Sequence, residues 1–136
     1  MAEDAGWLDT NVFIHPLTQD NNSTECAVLL GRLATGNATG RIDPVVVHEL
    51  TYTLTSRFGY TPTTAANYIK RILAWESIET VGDKETLISA LSLWEQHGIS
   101  FADALLAARA KTDGTWVCTE NTKDIKKAGA EARKPG

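Results

Sequence analysis

Three acidic side chains lie in apolar stretches of the sequence. Asp9 follows the short apolar segment 6–8, Glu49 lies among the valines and leucine of segment 46–50, and Asp103 lies in an alanine-rich run. A carboxylate beside apolar side chains costs free energy unless something compensates it, and several carboxylates at one place repel each other. Bound Mg²⁺ or Mn²⁺ removes both costs, because these cations prefer oxygen ligands. Such a cation also polarises a phosphoryl oxygen, so the pattern points to phosphodiester hydrolysis.

Each of these acids also has an ordinary structural interpretation. Asp9 could cap a loop, and Glu49 could form an ion pair with a nearby arginine or lysine. Asp103 lies three residues after Ser100, so these two residues could form a capping box at a helix start. Spacing alone leaves both interpretations open.

The elements that must position the acids alternate between short strands and helices. Strands are predicted at 6–8, 41–42, 77–81 and 116–119. Helix starts are predicted, from capping residues and prolines, at Asn21–Ser23, Asp43-Pro44, Thr61-Pro62, Asp83, Ser100 and Thr122. We therefore predict one α/β domain over residues 1–128, with Asp9 at the carboxyl end of a strand, where open parallel sheets bind ligands. Residues 129–136 are predicted to be a tail.

The bulk properties of the chain exclude several classes of protein. Its 136 residues and 43% hydrophobic content fit one globular domain. It has no apolar run long enough for a membrane and no visible secretory signal, so we expect a cytoplasmic protein in which Cys26 and Cys118 are reduced core thiols. The net charge of −4 argues against general coating of nucleic acid, but not against a nuclease, because acids that bind metal lower the formal charge.

Four stretches resemble, in order, the motifs of the PIN-domain family. They are Leu8–Ile14, Val46–Leu50, Gly98–Ala108 and Val117–Ile125. The resemblance therefore covers nearly the whole chain, and four motifs in the right order are far more specific than any one of them. It implies a PIN-like three-layer α/β/α domain with a central, mostly parallel sheet of four to five short strands.

The resemblance also implies a role for each matched residue. Asp9, Glu49 and Asp103 would bind Mg²⁺, for which Mn²⁺ can substitute, and would be the catalytic acids of an endoribonuclease that cleaves single-stranded RNA. Thr10 would orient Asp9 and Asn11 would lie beside the metal, since short polar groups can fix the rotamer of a carboxylate.

Many PIN domains are VapC-like toxins of toxin–antitoxin pairs. The resemblance therefore implies an antitoxin protein as a partner, as well as a homodimer. Two alternatives stay open: an RNA-processing nuclease without a toxin role, and a degenerate PIN domain that binds RNA or protein without cutting it.

The chain departs from the family pattern at its carboxyl end. The fourth motif usually supplies another acid, but the best-aligned residue is Asn121, with Asp124 three residues later. Either can offer an oxygen to a metal, although only Asp124 adds charge, so a second metal site is in doubt. No apolar run follows Ile125, which predicts that the last strand of the family is missing.

Several further residues complete the prediction. Lys123, Lys126 and Lys127 are candidate RNA contacts beside the fourth motif, because basic side chains neutralise phosphates. The histidines at 15, 48 and 97 carry too little signal to be given a role. The tryptophans at 7, 75, 94 and 116 are interpreted as core or interface residues rather than as platforms for stacked bases.

Overall fold

Three parallel strands form the sheet that carries the first two motifs in the computed structural model, which describes residues 2–18 and 23–136. They are β1 (Glu3–Trp7), β2 (Ala38–Ile42) and β3 (Ile78–Thr80), and β2 lies between the other two. Because the strands are parallel, their carboxyl ends meet at one edge of the sheet. Asp9 follows β1 at this edge, as predicted.

Within the described ranges, seven α-helices connect and cover the strands. They are α1 (Thr10–Ile14), α2 (Ser23–Thr35), α3 (Pro44–Ser56), α4 (Pro62–Leu73), α5 (Lys84–His97), α6 (Phe101–Asp113) and α7 (Thr122–Lys127), with a short 3₁₀ helix at His15–Leu17. None of the helices in the described ranges is long and apolar enough to cross a membrane.

Four of the predicted helix starts are confirmed by their capping hydrogen bonds. Asp43 accepts from the backbone N–H of Val45 at 2.9 Å, with Pro44 as the first helical residue. Side chains at the starts of α4, α5 and α6 cap their helices in the same way. The cap predicted before α2 includes Asn21 and Asn22, which lie outside the described residues.

Strand β1 has an irregularity that places Leu8 and Asp9. The pairing with β2 shifts between Asp4 and Trp7, and Gly6 between them has φ +74°, a conformation that side-chain-bearing residues rarely adopt. The N–H of Gly6 donates to the Asp4 carboxylate at 2.8 Å, and this hydrogen bond, together with Arg41, lowers the pKa of Asp4. Leu8 is then buried, which anchors the backbone immediately before Asp9.

The remaining two strands form a separate sheet. Strands β4 (Trp116–Cys118) and β5 (Glu131–Arg133) pair in parallel, and no pairing joins them to the three-stranded sheet in the described chain. The predicted α/β architecture with parallel strands is confirmed, but the expected single sheet of four to five strands is divided into three and two.

The predictions of a missing last strand and of a tail over 129–136 are therefore wrong for residues 131–133. The strand has one inward side chain, Ala132, between exposed Glu131 and Arg133. It escaped the sequence pattern because a three-residue strand with a single buried alanine has no apolar run.

Helix α6 joins two hydrophobic clusters. Its residues Phe101 and Ala108 belong to the main core, which also contains Leu8, Phe13 and Leu50. Its other face packs in a smaller cluster with β4, α7 and β5. That smaller cluster consists of Ile99, Ala104, Ala107, Ala110, Val117, Ile125, Ala128, Ala130 and Ala132.

The predicted burial of the two cysteines and of two tryptophans needs correction. Cys118 is exposed rather than a core thiol, because it alternates along β4 with the buried Val117, while Cys26 is half-buried. Trp7 and Trp116 are also exposed, at 62% and 44%, so neither is a core residue, and the interface interpretation of these two side chains stays a prediction. All three lie on strands too short for the sequence to show which face is inward.

Candidate functional site

Asp9 lies between the end of β1 and the start of α1. Its backbone is extended, with φ −81° and ψ 158°, and its carbonyl accepts from the N–H of Val12 at 3.1 Å. Its side chain is exposed and makes no capping hydrogen bond within the described chain. The interpretation of Asp9 as a structural cap is thus not supported, and its carboxylate is available at the edge where the parallel strands end.

Thr10 and Glu49 form the first half of the candidate site. Thr10 is only 6% exposed, and its hydroxyl donates to Oε2 of Glu49 at 2.7 Å, across 39 residues of sequence. The expected role of Thr10 as the residue that orients Asp9 is therefore corrected, since its hydroxyl bonds to Glu49 instead. The side chain of Glu49 is exposed, so this contact fixes a carboxylate that would otherwise be free to rotate.

Asp103, Asn121 and Asp124 form the second half. The Nδ2 group of Asn121 donates to Oδ2 of Asp103 at 3.2 Å and to Oδ2 of Asp124 at 2.8 Å. The third and fourth motifs thus meet through one amide, and the structure brings both Asn121 and Asp124 next to Asp103. Asp103 and Asp124 are each partly buried, whereas Asn121 is exposed.

The capping interpretation of Asp103 is resolved by the same contacts. Ser100 caps α6 by accepting from the backbone N–H of Asp103 at 3.1 Å. The carboxylate of Asp103 accepts from Asn121 and so points towards the fourth motif. The backbone of Asp103 therefore serves the helix start, while its side chain belongs to the acidic site.

Packing between α3 and α6 brings the two halves towards each other. The rings of His48 and Phe101 have centroids 6.0 Å apart with a tilt of 46°. His48 immediately precedes Glu49, and Phe101 lies two residues before Asp103. The main core also contains residues of α1, α3 and α6 together. Glu49 and Asp103 therefore lie on helices that pack in the same core, and Asp9 directly precedes α1, which packs there too.

The structure does not close the acids into one cluster. Among residues 2–18 and 23–136, no three His, Cys, Asp or Glu side chains lie close enough together to hold one metal ion. In the described ranges, hydrogen bonds join Thr10 to Glu49 and Asn121 to Asp103 and Asp124, but none joins one half to the other.

Asn11 and the predicted basic residues lie at the margin of the site. Asn11 is exposed in the first turn of α1, next to Thr10. Lys123, Lys126 and Lys127 are exposed on α7, the helix that carries Asp124. All four side chains are therefore accessible to solvent.

The donor groups present fit a hard divalent cation. All are carboxylate oxygens or an amide that can present its oxygen, which are the ligands that Mg²⁺ and Mn²⁺ prefer. Two aspartates on either side of one amide would repel without it, and the partial positive charge of the Asn121 amide hydrogens now offsets that repulsion. A cation would do the same with full charge. The fit is therefore one of ligand type.

Sequence reasoning missed two features of this region. The bond from Thr10 to Glu49 spans two motifs, and no local signal encodes it. The exposed Tyr52, one helical turn after His48, was also overlooked. Its spacing of four residues from His48 on one helix face was the available signal.

Comparison with known families gives a match across this whole arrangement. The family model described as PIN domain matches residues 7–131, a span that contains both halves of the site. Among curated proteins, none matches the chain.

Proposed function

The chain belongs to the PIN-domain family, and we propose that it is a metal-dependent endoribonuclease that cleaves single-stranded RNA. Asp9, Glu49 and Asp103 are the proposed metal-binding and catalytic acids, with Asn121 and Asp124 completing the site. The observation that supports this most is the pair of hydrogen-bonded groups, Thr10 with Glu49 and Asn121 with two aspartates, because they use polar residues of all four motifs.

The proposed mechanism assigns separate tasks to the side chains. Asp9 and Asp103 would hold the principal cation, which when bound would supply a Lewis acid for the phosphoryl oxygen and charge that activates water. Thr10 holds Oε2 of Glu49, which leaves Oε1 to accept a proton from the attacking water. Asn121 keeps Asp103 and Asp124 side by side. No covalent intermediate is required, because no activated nucleophile is part of the site.

The nuclease proposal is tested by charge-removing substitutions of matched size. Asp9→Asn and Asp103→Asn should each slow Mn²⁺-dependent cleavage of single-stranded RNA by about 100-fold or more, the scale for loss of one preorganised electrostatic group. Asp113→Asn is the control, since Asp113 is an exposed aspartate at the far end of the same helix α6. Circular dichroism should show unchanged folding in all three variants. Full activity of Asp9→Asn would contradict the assignment.

We further propose that the nuclease is the toxin of a toxin–antitoxin pair, acting in the cytoplasm as a homodimer. An unregulated ribonuclease harms its host, and an arginine on an antitoxin segment could neutralise the acidic site through bidentate hydrogen bonds. Expression of the chain alone should arrest growth, and co-expression of the product of a neighbouring gene should relieve it. An active nuclease without toxicity or such a neighbour would favour RNA processing instead.

A second candidate function is an RNA- or protein-binding module without catalysis. Asn121 in the fourth motif and the absence of a three-acid group in the described chain favour it. A Mn²⁺ titration separates the candidates, because a nuclease must bind the cation at the acidic site, whereas a binding module need not.

A further inference from the structure

A small pocket lies beside the two halves of the acidic site. Its volume is about 190 Å³, and four of its lining residues are aromatic: His48, Tyr52, Trp94 and Phe101. At roughly 30 Å³ per water it has room for about six waters, and it is smaller than the ~300–1,000 Å³ of sites that enclose a drug-sized ligand. The pocket therefore suits one planar ring system rather than a whole nucleotide.

The walls of the pocket differ in rigidity. Phe101 is only 3% exposed and packs in the main core, so it forms a fixed surface. Tyr52 is 69% exposed, which is high for an aromatic side chain that lines a pocket. A ring that enters would gain a partner from each wall, since aromatic side chains stack on any base regardless of its sequence.

Hydroxyl groups in the pocket provide the polar part of recognition. Thr51 and Thr55 donate their protons to carbonyls of their own helix, at 2.6 and 2.7 Å, and so retain acceptor lone pairs. Ser100 accepts from the N–H of Asp103, and its own O–H remains a donor. Donors and acceptors around an aromatic pocket are what the edge of a nucleobase requires.

Two residues that line the pocket are neighbours of the proposed acids in the chain. His48 precedes Glu49 on α3, and Ser100 is hydrogen-bonded to Asp103 on α6. A base held here would therefore belong to a nucleotide next to the phosphate at the acids. We propose that this pocket binds one base of the single-stranded RNA, with Tyr52 and His48 closing on it. This inference rests on the proposed function.

The test asks whether the side chain of Tyr52 and one base of the RNA contribute to the same interaction. In an Asp9→Asn background, in which cleavage is expected to be slow, a short fluorescent single-stranded RNA is chosen by its affinity and titrated in Mn²⁺ by anisotropy. An abasic nucleotide is then moved through each position of that RNA. We expect Tyr52→Ala to weaken binding about tenfold, within the range measured for loss of base stacking. One abasic position should weaken binding by the same factor, and combining it with Tyr52→Ala should have no further effect.

Two control variants accompany this test. Tyr52→Phe keeps the ring and should bind as the parent does. Val45→Ala removes an exposed apolar side chain from the same helix outside the pocket and should have no effect. Tyr52 is mostly exposed, so its loss should not unfold the chain.

The outcomes separate this inference from the proposed nuclease function. If the effects of Tyr52→Ala and of every abasic position are independent, the proposal that the pocket binds a base is overturned. It is also overturned if Tyr52→Ala leaves RNA affinity unchanged but alters the oligomeric state in light scattering, because Tyr52 would then contact a protein. With an intact Asp9, Tyr52→Ala should lower kcat/KM about tenfold. If the protein with intact Asp9 and Tyr52 cuts no RNA, but Tyr52→Ala and one abasic position still have no additive effect on binding, only the proposed nuclease function is refuted.

Discussion

Thr10→Val tests whether one buried hydroxyl controls the carboxylate of Glu49, one of the three proposed catalytic acids. Thr10 is almost fully buried and donates to Oε2 of Glu49 at 2.7 Å. Valine has the same branched shape, so it fills the site while removing the donor. A hydrogen bond to a charged group contributes ~1.5–3 kcal/mol, and because Glu49 is exposed we expect a loss of about 1 kcal/mol. The new methyl group regains about 0.8 kcal/mol. The free energy of unfolding should therefore change by less than about 0.5 kcal/mol.

The effect on metal binding should be much larger. Without its donor, Glu49 samples several rotamers, and loss of a residue that orients a metal ligand costs roughly 10- to 100-fold in affinity or activity. Titration calorimetry with Mn²⁺ measures this affinity, and urea unfolding of the same samples without metal measures stability.

Two variants serve as controls for Thr10→Val. Thr10→Ser retains the hydroxyl and should keep most of the Mn²⁺ affinity. Thr86→Val removes a comparable bond elsewhere, since Thr86 is buried and donates to Oδ2 of Asp83 at 3.1 Å. It should leave Mn²⁺ affinity unchanged. Wild-type affinity in a stable Thr10→Val protein would refute the proposed role of this contact.

Three further predictions concern charge, packing and pH. Asn121→Asp should lower the free energy of unfolding without metal by roughly 1–2 kcal/mol, because close carboxylates repel by about 1 kcal/mol per pair in water. Addition of Mn²⁺ should restore the lost stability, as measured by the midpoint of a thermal melt. Gly40→Ala places a Cβ 2.6 Å from Cδ1 of Leu8 and should destabilise by about 1–3 kcal/mol; an unchanged urea midpoint would contradict that packing. The hydroxyl of Tyr68 donates to the carbonyl of Phe13 at 2.8 Å, and burial raises the pKa of Tyr68 from 10.0 to about 12. The unfolded chain then loses this proton first, so stability should fall between pH 10 and about 12, and in Tyr68→Phe urea unfolding should show a smaller alkaline loss.

The helix starts and the position of Asp9 could be predicted because their signals are local. Asp43-Pro44 and Thr61-Pro62 begin helices where the sequence indicates, since a capping oxygen and a fixed proline φ act within one turn. The position of Asp9 at a strand end follows equally from a few neighbouring residues. Such features depend on neighbours in sequence and little on the rest of the chain.

The contacts within the site could not be predicted, because they depend on distant parts of the chain. Thr10 and Glu49 are 39 residues apart, and Asn121 and Asp103 are 18 apart. The motif order indicated that these residues matter, but not which side chain bonds to which. The division of the sheet and the strand Glu131–Arg133 likewise depend on packing against α6 and α7 rather than on any periodic apolar pattern.

The smaller hydrophobic cluster, which includes residues of β4 and β5, determines how easily this part of the chain opens. Six of its nine side chains are alanines, each of which buries little area, so this part of the chain should open locally at a lower free energy than the main core. Asn121 and Asp124 belong to that part, whereas Glu49 lies on α3, which packs in the main core. A cation that bridges both would couple the two opening reactions. Amide hydrogen exchange of β4, α7 and β5 should then slow markedly when Mn²⁺ is added, while exchange in β2 and α3 changes little.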